Sequence, residues 1–171
     1  MNQIATFIVY AAVAVTSAVA QLDLPSIPPG GTVQIFTQNL DSNLCVGAVA
    51  DSAQSEILLE PCTRNLTMFV LPSGADNTQI VLGGVPTGQP ELCITASQSQ
   101  AGNTPVILQA CGGDPFQIWQ FPAGEGRGEV VSTASGSEEC LTAVGSNQGD
   151  PIEYRPCTNA TNQQWFTVVS F

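Results

Sequence analysis

Any catalysis in this chain would have to come from carboxylates. There are 14 Asp and Glu side chains, three cations (Arg64, Arg127 and Arg155) and no histidine. Without histidine there is no Ser–His or Cys–His nucleophile pair and no imidazole metal ligand. The adjacent pair Glu138-Glu139 has the residue types for acid–base hydrolysis of a glycoside. However, neighbouring residues on an extended strand point to opposite faces, so the two carboxylates do not converge on one bond. They read as a solvated edge ahead of Cys140, and the chain reads as a non-enzyme with no metal and no cofactor. A net charge of −11 also argues against phosphate backbones and anionic lipid surfaces, so neither nucleic acid nor membrane is an expected partner.

The six cysteines are the other reactive set, and their setting decides their role. Residues 4–20 form an uncharged apolar run ending in Ala18-Val19-Ala20, the small-x-small pattern of a cleaved signal peptide. At 17 residues this run lies at the short limit for a bilayer span, and no basic flank would stop its transfer. Residues 1–20 are therefore expected to be removed, leaving a secreted, extracellular chain from Gln21, with residues 21–31 as a Pro/Gly-rich extension. Six cysteines in an exported chain imply three disulfides.

Those cysteines mark an internal repeat. Cys45 and Cys62 are 17 apart, Cys93 and Cys111 are 18, and Cys140 and Cys157 are 17, while successive first cysteines step by 48 and 47. Three copies at this period define a repeat architecture, with boundaries near 32–77, 78–126 and 127–171. Fifteen pairings of six cysteines are possible. The repeat selects Cys45–Cys62, Cys93–Cys111 and Cys140–Cys157, each closing a loop worth about 3 kcal/mol by chain entropy.

Other residues keep the same phase. Five before each second cysteine stand Ile57, Val106 and Ile152, and three before stand Leu59, Leu108 and Tyr154. Apolar residues two apart indicate a strand with one buried face. Further on come Phe69, Trp119 and Trp165, and each copy opens on an apolar run near 33–36, 79–82 or 129–132. Turn-rich segments such as 102–105 and 145–151 separate these runs. About four short strands per copy and almost no helix are expected, in a closed all-β body that leaves no sheet edge free.

Gln117-Ile118-Trp119 and Gln163-Gln164-Trp165 are Q-x-W motifs at one distance from a second cysteine. With the cysteine spacing and the Cys-[Ile/Leu]-Thr-Ala sequences at Cys93 and Cys140, they resemble the ricin B-chain type lectin family. The resemblance spans about residues 32–171 and implies a β-trefoil that binds carbohydrate, most often galactose. In repeat 1, Thr67-Met68-Phe69 stands in place of the motif, one residue early.

The family pattern places an Asp two residues past the first cysteine, to accept from sugar hydroxyls, and an aromatic two before the second, to stack on the ring. Here these positions hold Gly47, Thr95 and Thr142, and then Glu60, Gln109 and Arg155. Repeat 3 keeps the most polar set, with Thr142, Glu153, Arg155, Asn162 and Gln163 as the candidate carbohydrate-binding residues. Gln117, Trp119, Gln163 and Trp165 are expected to serve the fold, and Tyr154 to point into the core. Asn65-Leu66-Thr67 and Asn159-Ala160-Thr161 are N-glycosylation sequons. The expectation is a monomeric, secreted lectin-like protein that binds an extracellular or cell-wall glycan and is not a standard galactose binder. The alternative is a trefoil acting through protein-binding loops at 83–91 and 122–129, for example as a protease inhibitor.

Overall fold

A computed structural model describes residues 26–38, 42–96 and 104–170. The proposed signal peptide lies outside the described residues. Within them the chain is all-β. Repeat 1 contributes β1 (Gly31–Thr37), β2 (Leu44–Ala48), β3 (Ile57–Pro61) and β4 (Phe69–Leu71). Repeat 2 contributes β5 (Val81–Leu82), β6 (Leu92–Thr95), β7 (Thr104–Pro105) and β8 (Ile107–Ala110). Its fourth strand, expected around Trp119, is reduced to the isolated bridges Thr78↔Trp119 and Gln120↔Val131. Residues 126–128, expected as loop, instead form β9 (Gly126–Gly128). Repeat 3 follows with β10 (Val131–Ser132), β11 (Glu139–Ala143), β12 (Ile152–Pro156) and β13 (Trp165–Ser170). The helical content described is confined to short 3₁₀ turns, among them one after each hairpin at Asn65–Thr67, Pro115–Gln117 and Thr161–Gln163.

The repeats close into one body, a β-trefoil. β1 and β13 pair antiparallel from Thr32↔Ser170 to Thr37↔Trp165, joining the first repeat to the last. β13 alternates buried and half-buried residues along its length, the period-2 pattern of a strand with one face inward. Each repeat carries one hairpin around its disulfide: β2 with β3, β6 with β8, and β11 with β12. The three hairpins meet through backbone bonds. Ile57 N–H donates to Val106 O at 3.0 Å, Val106 N–H to Ile152 O at 3.1 Å, and Leu59 N–H to Asp150 O at 2.9 Å. Ile57, Val106 and Ile152 are at most 1% exposed, and Leu59, Leu108 and Tyr154 at most 4%. The apolar spacing read from the sequence is thus the wall of a shared core.

Phe69, Trp119 and Trp165 are fully buried in the same core. Each indole N–H finds a partner one residue past the first cysteine: Trp119 donates to Ile94 O and Trp165 to Leu141 O, both at 3.0 Å. Buried indoles need such a partner. Phe69 fills the same place in repeat 1 without a polar atom to satisfy. Tyr154 packs edge-on against Phe116 and Trp119 at 6.4 and 6.0 Å. The disulfides Cys45–Cys62, Cys93–Cys111 and Cys140–Cys157 each join the two strands of one hairpin, with Cα atoms 5.0, 5.0 and 5.1 Å apart. The extension ahead of β1 is anchored too, since Ile27 is 3% exposed in the core and Gly30 N–H donates to Leu71 O.

Candidate functional site

Each repeat presents one hairpin face and the 3₁₀ turn that follows it. In repeat 3 the register sets Cys140 opposite Arg155, Leu141 opposite Tyr154 and Thr142 opposite Glu153. Directly paired residues share a face, so Thr142, Glu153 and Arg155 lie on one side of the hairpin and Leu141 and Tyr154 on the core side. The turn Thr161–Gln163 is bonded to β11 at two points. Asn162 Nδ2 donates to Ala143 O at 2.8 Å, and Gln163 Nε2 donates to Thr142 Oγ1 at 3.0 Å.

This arrangement divides the candidate residues. Thr142 and Gln163 are each 2% exposed and spend their polar atoms inside the protein. Gln163 Nε2 also donates to Pro156 O at 2.9 Å, and its Oε1 accepts from Thr158 N–H at 2.8 Å and Thr158 Oγ1 at 3.0 Å. Repeat 2 repeats the arrangement. Gln117 donates to Thr95 Oγ1 at 3.1 Å and to Ala110 O at 2.9 Å, and accepts from Gly112 N–H at 2.9 Å. The Q-x-W glutamine therefore ties the turn to the hairpin and satisfies buried backbone groups, each costing about 1–3 kcal/mol if left bare. Glu153, Arg155 and Asn162 remain toward solvent. Arg155 Nε and Nη2 both reach Glu153 Oε2 at 2.7 Å, so these two form a single paired unit.

Repeat 1 solves the same problem with different residues. Thr67 occupies the glutamine position as the third residue of its 3₁₀ turn, which places the shifted motif in structural register with the others. Its hydroxyl donates to Arg64 O at 2.7 Å and accepts from Gln34 Nε2 at 3.0 Å. Gly47 is required opposite it, because a Cβ there would lie 2.8 Å from Thr67 Cγ2 and 3.0 Å from Glu60 Cβ. Glu60, at the stacking position, is 6% exposed and paired with Arg64 at 2.6 Å, so it fills the face instead of offering it.

The sequence reading missed a threefold latch. Gln34, Gln79 and Glu129, each one residue ahead of the buried Ile35, Ile80 and Val130, reach the second cysteine of their repeat or the two residues after it. Gln34 donates to Cys62 O at 2.7 Å, Gln79 to Gly112 O at 2.8 Å, and Glu129 accepts from Asn159 N–H at 3.0 Å. The signal was the polar residue at one place in the opening run of each copy. Glu129 also lies beside Cys140 and Cys157, but those sulfurs are joined to each other and offer no metal a thiolate. Glu138 is exposed and Glu139 half-buried at the start of β11, consistent with a hairpin edge.

A cleft of about 190 Å³ lies where repeat 3 meets the end of β1, walled by Thr37, Gln38, Gly145, Thr161, Asn162 and Gln164 among others. Gln38, one of its walls, donates to Thr161 O at 3.2 Å and accepts from the Arg127 guanidinium. All three arginines are thus engaged within the protein.

This geometry defines a lectin-type trefoil, and the comparisons agree. The ricin-type β-trefoil lectin domain matches residues 81–169, more than half of the chain, and the protein belongs to that family. No curated protein sequence matches it. Among solved structures, the chain is similar to a designed threefold symmetric protein, ThreeFoil, at 16% identity and a TM-score of 0.68, covering 82% of this chain and 99% of that one. It is similar to an exo-β-1,3-galactanase from Clostridium thermocellum at 16% identity and a TM-score of 0.68, covering 84% of this chain and 31% of that one. A ricin B-like lectin from Macrolepiota procera, solved in complex with lactose, is 12% identical with a TM-score of 0.62, covering 84% of this chain and 98% of that one.

Proposed function

We propose that this protein is a secreted lectin that binds an extracellular glycan through the repeat 3 face, at Asn162 and the Glu153–Arg155 pair. The observation that carries this reading is the contrast at one position. Asn162 is exposed, whereas its counterparts Leu66 and Phe116 are partly buried and pack against the core. Repeats 1 and 2 therefore bury as apolar packing what repeat 3 leaves as an exposed polar side chain, held to Ala143 O through its Nδ2. Val144, 45% exposed just past β11, adds an apolar surface on which the face of a sugar ring can rest.

Family membership supports carbohydrate as the ligand class. The site chemistry argues against terminal galactose, because the positions for its carboxylate and its aromatic platform hold Thr142 and Arg155. Thr142 is moreover closed off by Gln163. With Arg155 already paired to Glu153 and a net charge of −11, neutral glycans fit better than acidic ones. A glycan array probed with the purified chain from residue 21 tests this. Binding to neutral, non-galactose-terminated glycans is the expected result, and no binding to neutral, acidic or cell-wall glycans would sink it.

A further inference from the structure

Asn162 borders two surfaces. It stands on the repeat 3 face with Glu153 and Arg155, and it also lines the seam cleft of about 190 Å³, which neither of those two residues does. The far wall of the cleft comes from repeat 1. Thr37, at the end of β1, and Ser42 are bonded through their hydroxyls at 3.0 Å, and Gln38 is tied to Thr161 O and Arg127. The near wall is the repeat 3 hairpin loop and turn, with Ser146, Thr161, Asn162 and Gln164. Bonds within the protein hold the far wall before any ligand arrives, which lowers the ordering cost of binding.

The lining is chemically uniform. Every polar side chain in it carries a hydroxyl or an amide, and none is charged. Asn162 Nδ2 is committed to Ala143 O and Gln164 Nε2 to Asn159 Oδ1, so their amide oxygens are the groups left to accept from a ligand. The exposed hydroxyls of Ser146 and Thr161 can both donate and accept. Ala143 and Trp165, 4% and 1% exposed, form an apolar base. Gly145 adds no side chain and tolerates none, because a Cβ there would collide with the Asp150 carboxylate. Drug-sized ligands take pockets of about 300–1,000 Å³, so this smaller cleft suits a single neutral sugar ring.

The next seam round the trefoil is built differently. Where the segment between β2 and β3 meets the segment between β5 and β6, a cleft of about 440 Å³ is walled by Val85, Pro86, Pro90 and Leu92 and carries the Asp51 carboxylate. Of these two seams, only the one beside the repeat 3 face is lined by hydroxyls and amides without a charge.

We infer that the seam cleft is a second sugar subsite, so that the ligand is a neutral disaccharide or longer chain, with one unit on the repeat 3 face and the next between repeats 3 and 1. This rests on the lectin reading above and keeps one site per chain. A ligand so placed bridges the first and last repeats where β1 and β13 pair.

The test is calorimetric titration of the purified chain with the terminal monosaccharide, disaccharide and trisaccharide of the strongest neutral glycan on the array. The disaccharide is expected to bind about tenfold or more tighter than the monosaccharide. Ser146→Trp, an exposed loop position at which the new ring fills the cleft, is expected to abolish that gain and leave monosaccharide affinity nearly unchanged. Wild-type protein supplies a second readout: hydrogen exchange at residues 37–38 and 161–165 is expected to be slower with the disaccharide than with the monosaccharide at equal saturation. Equal affinity for the two sugars, equal exchange, or a folded Ser146→Trp protein that keeps the full gain overturns the subsite while the lectin reading stands. An array on which no glycan binds overturns that reading, and the subsite with it.

Discussion

The side-chain amide of Gln163 donates to the hydroxyl of Thr142 at 3.0 Å, closing the position where the family pattern has a sugar-binding carboxylate. The same bond recurs between Gln117 and Thr95. In repeats 2 and 3 that position has become part of the scaffold.

This separates stability from binding within one turn. Gln163→Ala leaves Thr142, Pro156 O and the Thr158 N–H without their partner in a buried site. It is expected to cost about 2–4 kcal/mol, read as a lowered midpoint in urea unfolding. Asn162→Ala, one residue earlier and exposed, is expected to cost no more than about 1 kcal/mol.

Gly145 and Asp150 are coupled through space. A Cβ on Gly145 would collide with the Asp150 carboxylate, which accepts from Asn147 N–H at 2.7 Å and shapes the hairpin loop. Gly145→Ala is therefore destabilising alone and less so in the Asp150→Ala background. A double-mutant cycle is expected to give a coupling of about 0.5–3 kcal/mol. Additive effects would mean that the two do not touch.

The core position of Trp165 admits a smaller ring, since Phe69 fills the equivalent place in repeat 1. Trp165→Ala is expected to lose about 3–5 kcal/mol. Trp165→Phe should lose clearly less, because it keeps a ring and gives up the indole bond to Leu141 O. Thermal unfolding of both variants measures the difference.

Replacing Cys93 and Cys111 together by Ala opens an 18-residue separation and is expected to cost about 3 kcal/mol. The other two repeats keep their own disulfides, so the double variant should still fold. Denaturant unfolding under non-reducing conditions checks this.

The scaffold was legible because its constraints are periodic. Cysteine spacing set the hairpins, the two-residue phase of Ile57 with Leu59 set the buried face, and Trp119 and Trp165 marked the core. Thr67 shows where periodicity misleads. Counting from Cys62 puts it one residue early, yet the 3₁₀ turn absorbs the deletion and returns it to register. The site was less legible, because a polar residue can serve the interior or a ligand. Thr142 and Gln163 look like Asn162 in composition, and only the hydrogen bonds and burial distinguish them. Glu60 is a similar case. A charged residue at a binding position suggests exposure, but the pairing with Arg64 and the space over Gly47 bury it.

The central claim is that one repeat binds glycan and the other two are scaffold. Calorimetric titration of the best glycan from the array into wild-type, Asn162→Ala and Asn65→Ala proteins tests it most directly. The account predicts a single site per chain, lost or at least tenfold weaker in Asn162→Ala, about 1.4 kcal/mol or more, and unchanged in Asn65→Ala. Undiminished affinity in a folded Asn162→Ala protein, or more than one site per chain, would contradict it.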